Sequence, residues 1–258
     1  MRVPFQFSNK GKNILGVMHI AEHQRKTPVV LVMCYGLNGD RVIQHQIAIK
    51  LGDTSERCGI NLVRFDYRNS GVSEGRFEFT TFEERVEDIV EICGFCQACF
   101  GAKDISILLL GFSDGARNAI EASFRADTQG LILWNPILNY PHSAIAKRNS
   151  QDKLLIHPLL NIPVKQLLGV GLNVKLIKTL QSEQSLKKLE TYKSPILFVF
   201  GSRDSTTVGL QQYLNEIDYC ARTHVQINII EGADHLFGIA EHIDQVILQT
   251  NNWIYTNY

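Results

Sequence analysis

The feature that most constrains this chain is a repeated alternation of unbroken apolar runs with helix-length amphipathic stretches. PVVLVMCY (28–35) leads into a helical pattern over 41–57, and INLVRFDY (60–67) into one over 80–100. DISILLLG (104–111), a helix over 113–126 and GLILWNP (130–136) continue the series. PILFVFG (195–201), a helix over 207–222, HVQINIIEG (224–232) and a last helix over 238–254 complete it. Strands that are apolar throughout, rather than at every second residue, belong to sheets covered on both faces. The pattern therefore predicts an α/β fold, a mostly parallel central sheet with helices on both faces. Segments 3–8 and 13–20 read as an antiparallel lead-in.

The alternation breaks once, over 137–193, a stretch far too long for an ordinary strand-to-helix connection of about 2–6 residues. This predicts a core made of 1–136 and 194–258, with 137–193 inserted as a helical lid. The insert carries Pro141, Pro158 and Pro163, and the apolar clusters Leu154-Leu155-Ile156, Leu159-Leu160 and Leu167-Leu168. Its charge is skewed. Lys147, Arg148, Lys153, Lys165, Lys175, Lys178, Lys187, Lys188 and Lys193 stand against Asp152, Glu183 and Glu190.

Over the whole chain charge balances, 26 basic residues against 26 acidic in 258, so nothing pulls it as a whole toward nucleic acid or an anionic membrane. The longest apolar runs fall well short of the roughly 18 residues of a membrane span, and the start has no apolar leader. A cytoplasmic protein is expected. In that compartment the six cysteines (Cys34, Cys58, Cys93, Cys96, Cys99, Cys220) are expected as thiols. Cys93, Cys96 and Cys99 fall in a predicted helix with no further ligand pattern, which favours packing over a metal site.

The chemistry concentrates at strand ends. Gly111-Phe112-Ser113-Asp114-Gly115 follows a strand and opens a helix, the setting in which G-x-S-x-G lifts a serine to the C-terminal edge of a sheet. A serine hydroxyl needs a base, itself oriented by an acid. Asp204 lies just past strand 195–201 and His235 just past strand 224–232, in the chain order Ser, Asp, His. The other histidines fit less well: His19 and His23 flank the lead-in, His45 and His242 fall within predicted helices, His224 precedes a strand, and His142 and His157 lie in the insert. Asp114 and Asp234 adjoin Ser113 and His235 in sequence, which turns their side chains to local hydrogen bonding. Arg64, Asp66 and Arg68 read as a structural ion-pair loop.

Four segments then carry a family resemblance: Cys34-Tyr35-Gly36-Leu37-Asn38-Gly39, RFDYRNSGVSEG (64–75), the serine turn and GADHLF (232–237). Together they resemble the α/β-hydrolase superfamily, and most closely its bacterial cinnamoyl/feruloyl-esterase and serine-aminopeptidase-like group. The resemblance implies Ser113 as nucleophile, His235 as base and Asp204 as orienting acid, with the backbone N–H groups of Leu37 and Asp114 as oxyanion hole. It places Tyr35 and Gly36 at the substrate and calls for no metal or cofactor. The chain departs from the group in having Tyr35 where His is usual and Asn69 where Gly is usual.

The expected activity is cleavage of a carboxylic ester of a small molecule through an acyl-enzyme. A basic, apolar insert also suits acyl-CoA or an acyl carrier protein, so thioesterase and acyltransferase stand as alternatives. A third alternative is a hydrolase fold reused for binding alone, against which the complete Ser-Asp-His set argues.

Overall fold

The computed structural model describes residues 1–101, 105–139, 154–167, 170–180, 184–219 and 222–258. Asp104, Pro141, His142, Lys147, Arg148, Asp152, Lys153, Leu168, Glu183 and Cys220 lie outside them.

The alternation folds as an eight-stranded sheet. Strands β1 (Arg2–Asn9) and β2 (Lys12–His19) form an antiparallel hairpin, and β2 pairs antiparallel with β4 (Ile60–Phe65). From there β3 (Val29–Cys34), β5 (Ser106–Phe112), β6 (Gly130–Trp134), β10 (Ile196–Gly201) and β11 (Val225–Ile230) run parallel in the order β1-β2-β4-β3-β5-β6-β10-β11. Every residue of β3, β4, β6 and β10 is buried, which a strand achieves only with cover on both faces. Helix α1 (Ile47–Arg57) and the C-terminal helix (Ala240–Asn257) pack together over β2, β4, β10 and β11, while α2 (Phe82–Phe100) and α3 (Gly115–Ser123) pack together over β3, β5 and β6.

Local chemistry sets the ends of these elements. Helix α2 opens with a capping box in which Glu84 N–H donates to Thr81 Oγ1 at 3.2 Å and Thr81 N–H to Glu84 Oε2 at 3.0 Å, a device worth about 1 kcal/mol. Cys93 and Cys96 of this helix are buried and Cys99 is exposed, as packing against the core requires. Helix α1 starts later than 41, because Gln44–Gln46 form a 3-10 turn ahead of it; His45 lies in that turn. Asn69 adopts φ +66°, a left-handed conformation that Asn tolerates better than other residues with a side chain, so the turn keeps its shape without glycine.

The insert is not wholly helical. Strands β7 (Leu155–Ile156), β8 (Pro163–Leu167) and β9 (Val170–Asn173) form a separate antiparallel sheet, followed by α4 (Val174–Leu180) and α5 (Gln184–Thr191). Runs of two to five residues are too short for periodicity to separate strand from helix. Leu154, Leu155, Ile156 and Leu159 are exposed, and Leu155 and Ile156 border a small cavity of about 380 Å³ with Phe77 and Glu78.

Candidate active site

The sheet brings Ser113, Asp204 and His235 together. Between β5 and α3 the chain reverses on Ser113 at φ +57°. The two flanking glycines are required by space: a Cβ on Gly111 would lie 2.5 Å from Ala116 Cα, and one on Gly115 2.1 Å from the Cys34 carbonyl. Asp204 follows β10 and is buried; His235 follows β11. Ser113 Oγ is 2.8 Å from His235 Nε2, and His235 Nδ1 is 2.6 Å from Asp204 Oδ2. The carboxylate fixes the tautomer: Nδ1 carries the proton, and Nε2 is left to accept from the serine hydroxyl. A serine so placed can lose its proton to the imidazole as it attacks.

Burial pushes the Asp204 carboxyl up, but the bonds from His235 and Thr206 outweigh it and hold it below its usual value. Thr206 Oγ1 donates to Asp204 Oδ1 at 2.5 Å and lies 3.1 Å from His235 Nδ1; Thr206 N–H and Thr207 Oγ1 add donors at 2.9 Å.

Sequence reasoning missed Thr206, and it missed Asn135. Asn135, fully buried at the end of β6, donates from Nδ2 to the carbonyls of Asp234 (3.2 Å) and His235 (3.0 Å) and accepts at Oδ1 from Gly201 N–H (2.8 Å). One amide thus ties the loop bearing His235 to the strand that ends before Asp204. A polar residue directly after a strand is the signal that could have found it.

Leu37 and Asp114 both line a cavity of about 750 Å³ that opens on Ser113 and His235. Gly36 abuts the serine, since a Cβ there would stand 3.1 Å from Ser113 Cβ. Tyr35 also reaches the wall, but it is buried and its hydroxyl accepts from Tyr67 N–H at 2.9 Å, so that end of the side chain braces the loop and faces away from a ligand. Phe112, Ile43, Ile137, Leu180 and Leu236 make the remaining wall largely apolar. From the insert region, Ile137, Asn139 and Leu180 reach this cavity among the described residues; the exposed cluster 154–156 does not.

Asp114 and Asp234 bond locally as their positions predict, Asp114 to Arg117 Nε at 2.7 Å and Asp234 to the N–H groups of Leu236 and Gly238 at 3.1 and 2.8 Å. Arg64 and Arg68 are buried in polar contacts: Arg64 Nε donates to His19 Nε2 at 2.9 Å, and Arg68 Nε to Asp88 at 2.6 Å. Asp66 accepts from Arg41 N–H at 2.7 Å and from Val72 N–H at 2.9 Å.

One His, Asp and Glu group among the described residues, His19 with Asp53 and Glu56, is close enough to surround an ion. The Arg64 bond occupies Nε2 and so leaves the ring proton on Nδ1, pointed at Glu56 Oε1 at 2.9 Å. The imidazole has no lone pair left for a metal.

No protein-family profile matches the chain, and no curated protein matches it in sequence. Solved structures do match. The ferulic acid complex of Est1E from Butyrivibrio proteoclasticus superimposes with a TM-score of 0.76 at 17% identity, over 98% of each chain. An esterase domain from a Rhodothermus marinus protein gives 0.71 at 15% identity, over 98% of this chain and 97% of that one. A serine hydrolase from Xanthomonas campestris, described as lacking a lid, gives 0.63 at 15% identity, over 98% and 94%. With the strand order above, these matches over nearly the full length show that the chain has the α/β-hydrolase fold.

Proposed function

We propose that the chain is a serine hydrolase that cleaves a small-molecule carboxylic ester by two-step acyl transfer. The reading rests on one observation: hydroxyl, imidazole and carboxylate lie in series, at 2.8 and 2.6 Å, in the wall of a largely apolar cavity. Ser113 attacks the ester carbonyl as His235 takes its proton. The N–H groups of Leu37 and Asp114 hold the oxyanion, and His235 then gives the proton to the departing alcohol. Water, deprotonated by His235, releases the acid and restores Ser113. Asp204 keeps the imidazole in the tautomer both steps need. Residues 137–193 act as a lid over the core 1–136 and 194–258, contributing Ile137, Asn139 and Leu180 to the acyl pocket. The esterases and hydrolases among the similar structures support this chemistry.

The thioester alternative keeps part of its basis in the insert: Lys165 is buried and Lys188 pairs with Glu121 at 2.6 Å, whereas Lys175, Lys178, Lys187 and Lys193 are exposed. No helix among the described residues is long and apolar enough to cross a membrane.

The test is labelling of wild type and Ser113→Ala with a fluorophosphonate, followed by p-nitrophenyl acetate through decanoate and one acyl-CoA on the wild type. Labelling confined to the wild type, with ester turnover, is the expected result. A folded wild type that takes no label overturns the reading and favours a binding protein; faster turnover of the acyl-CoA moves the substrate to thioesters.

A further inference from the structure

The loop that carries Leu37 rests on an unusual neighbour. Arg85, on α2, is fully buried. Its Nη2 donates to the Leu37 carbonyl at 2.8 Å and its Nη1 to the Gly36 carbonyl at 3.4 Å. Its guanidinium lies over the rings of Tyr67, 5.1 Å to the centroid, and Phe77, 5.9 Å. Nε has no hydrogen-bond partner among the described residues. The carboxylate oxygen Asp114 Oδ2 is 3.9 Å from Nη1, beyond hydrogen-bond reach, and Asp114 is already neutralised by Arg117 through Oδ1 at 2.7 Å. Two buried guanidinium groups therefore share one buried carboxylate. A buried cation with carbonyls and ring faces in place of a contact ion pair is costly to a fold.

Its location says what the charge acts on. The Gly36 carbonyl and the Leu37 N–H are the two ends of one peptide group. Nη1 stands at the carbonyl end of that group, at 3.4 Å, while the shorter 2.8 Å bond holds the next peptide, Leu37–Asn38, so the guanidinium braces Leu37 on both sides and polarises the Gly36–Leu37 group toward a stronger N–H donor. The second amide is held in the same sense. Asp114 N–H shares its peptide with the Ser113 carbonyl, which accepts from Ala116 N–H at 3.2 Å and Ile137 N–H at 3.1 Å. Both peptides are pinned by their oxygens, and of the two only Leu37's is pinned by a charge.

We propose that Arg85 is a positioning residue for the oxyanion hole: it orients and polarises the Gly36–Leu37 peptide and sets a buried positive charge behind the oxygen that becomes negative. It does this from beneath a loop that has Tyr35 where a histidine is usual in the group the chain resembles. The inference rests on the acyl-transfer reading above and adds to it a residue that touches no substrate atom.

The test compares wild type, Arg85→Met and Arg85→Lys on the p-nitrophenyl ester the wild type turns over best. It also measures thermal unfolding, fluorophosphonate labelling, and inhibition by an alkyl boronic acid that forms a tetrahedral adduct on serine. Arg85→Met is expected to lower kcat by about 10²-fold with KM within roughly threefold, and to weaken the boronate by a similar factor, as removal of an oxyanion donor does. Arg85→Lys, which keeps the charge and reaches one carbonyl at a time, is expected to recover about tenfold of that loss. A folded Arg85→Met with kcat near wild type, or with its whole loss in KM, overturns the proposal. Should Arg85→Met fail to fold, the same split read on Arg85→Lys decides: a fall in kcat at constant KM supports it, and unchanged kcat overturns it. A wild type that neither labels nor binds boronate sinks the acyl-transfer reading and this inference with it, whereas a labelled wild type with an indifferent Arg85→Met sinks this inference alone.

Discussion

Two halves of one sheet face the cavity, and they are held by different physics. On the side of β5, β6, β10 and β11, neutral and singly charged side chains meet at strand ends through short, directional hydrogen bonds: Ser113 to His235, His235 to Asp204, Thr206 to Asp204. On the side of β3 and β4, loops are clamped by buried charge: Asp66 under Arg41, Arg68 on Asp88, Arg85 under Leu37. The two buried acids show the contrast. Asp204 is held below its usual value by its donors, whereas burial pushes Asp88 up to about 6 against the pull of Arg68. On the proposed acyl-transfer reading the first half moves a proton, and the second keeps backbone still.

Substitutions that separate activity from stability should break the two halves apart. The largest effect is expected from Asp204→Asn, which keeps the shape of the acid but favours the wrong imidazole tautomer. In a Ser-His-Asp site this costs about 10⁴-fold in kcat, while thermal unfolding should shift only by the modest stability that the lowered carboxyl contributes at neutral pH. A kcat within tenfold of wild type would mean that the imidazole is oriented by something else. Next is Asp66→Ala in the other half, which strips partners from the N–H groups of Arg41 and Val72 and from the Arg41 side chain. Because Arg41 keeps access to water, the cost should fall below that of a fully buried pair, at about 2–3 kcal/mol in denaturant unfolding. The label taken up per folded molecule should stay close to wild type.

The smallest effect, and the sharpest discriminator, is expected from Thr206→Val. A carboxyl lowered by folding contributes stability above its ordinary range and loses it as pH falls through the lowered value. Removing the Thr206 hydroxyl raises Asp204 toward its usual value, so acid unfolding of the variant should begin at higher pH than in wild type. An unshifted acid limb would assign the lowering of Asp204 to His235 and the remaining backbone and Thr207 donors.

The same contrast explains what could be read from sequence. Ser113 and Asp204 each follow an unbroken apolar run, and His235 follows a β-branched run interrupted by Gln226 and Asn228, so their meeting could be inferred from strand order alone. Asn135 occupies an equivalent position, which is its one signal, yet its side chain bonds to backbone of β10 and of the loop after β11, partners that no residue type in the sequence points to. Arg85 was still less legible, because a basic residue three before Asp88 on an amphipathic helix reads as surface, and burial of its charge depends on how α2 lies against the loop 35–39. In the insert, short strands around Pro163 defeated periodicity, and the apolar cluster 154–156 faces solvent and a separate cavity instead of the serine.

Ser113 stands at φ +57°, where a residue with a Cβ is less comfortable than glycine by about 1–2 kcal/mol. Mutation therefore presses on this position in a definite direction. Glycine would relax the turn and remove the hydroxyl in the same stroke, so that, on the proposed acyl-transfer reading, a sturdier fold and a silent one are the same variant at residue 113. On that reading, selection for robustness alone would erode the site from its centre.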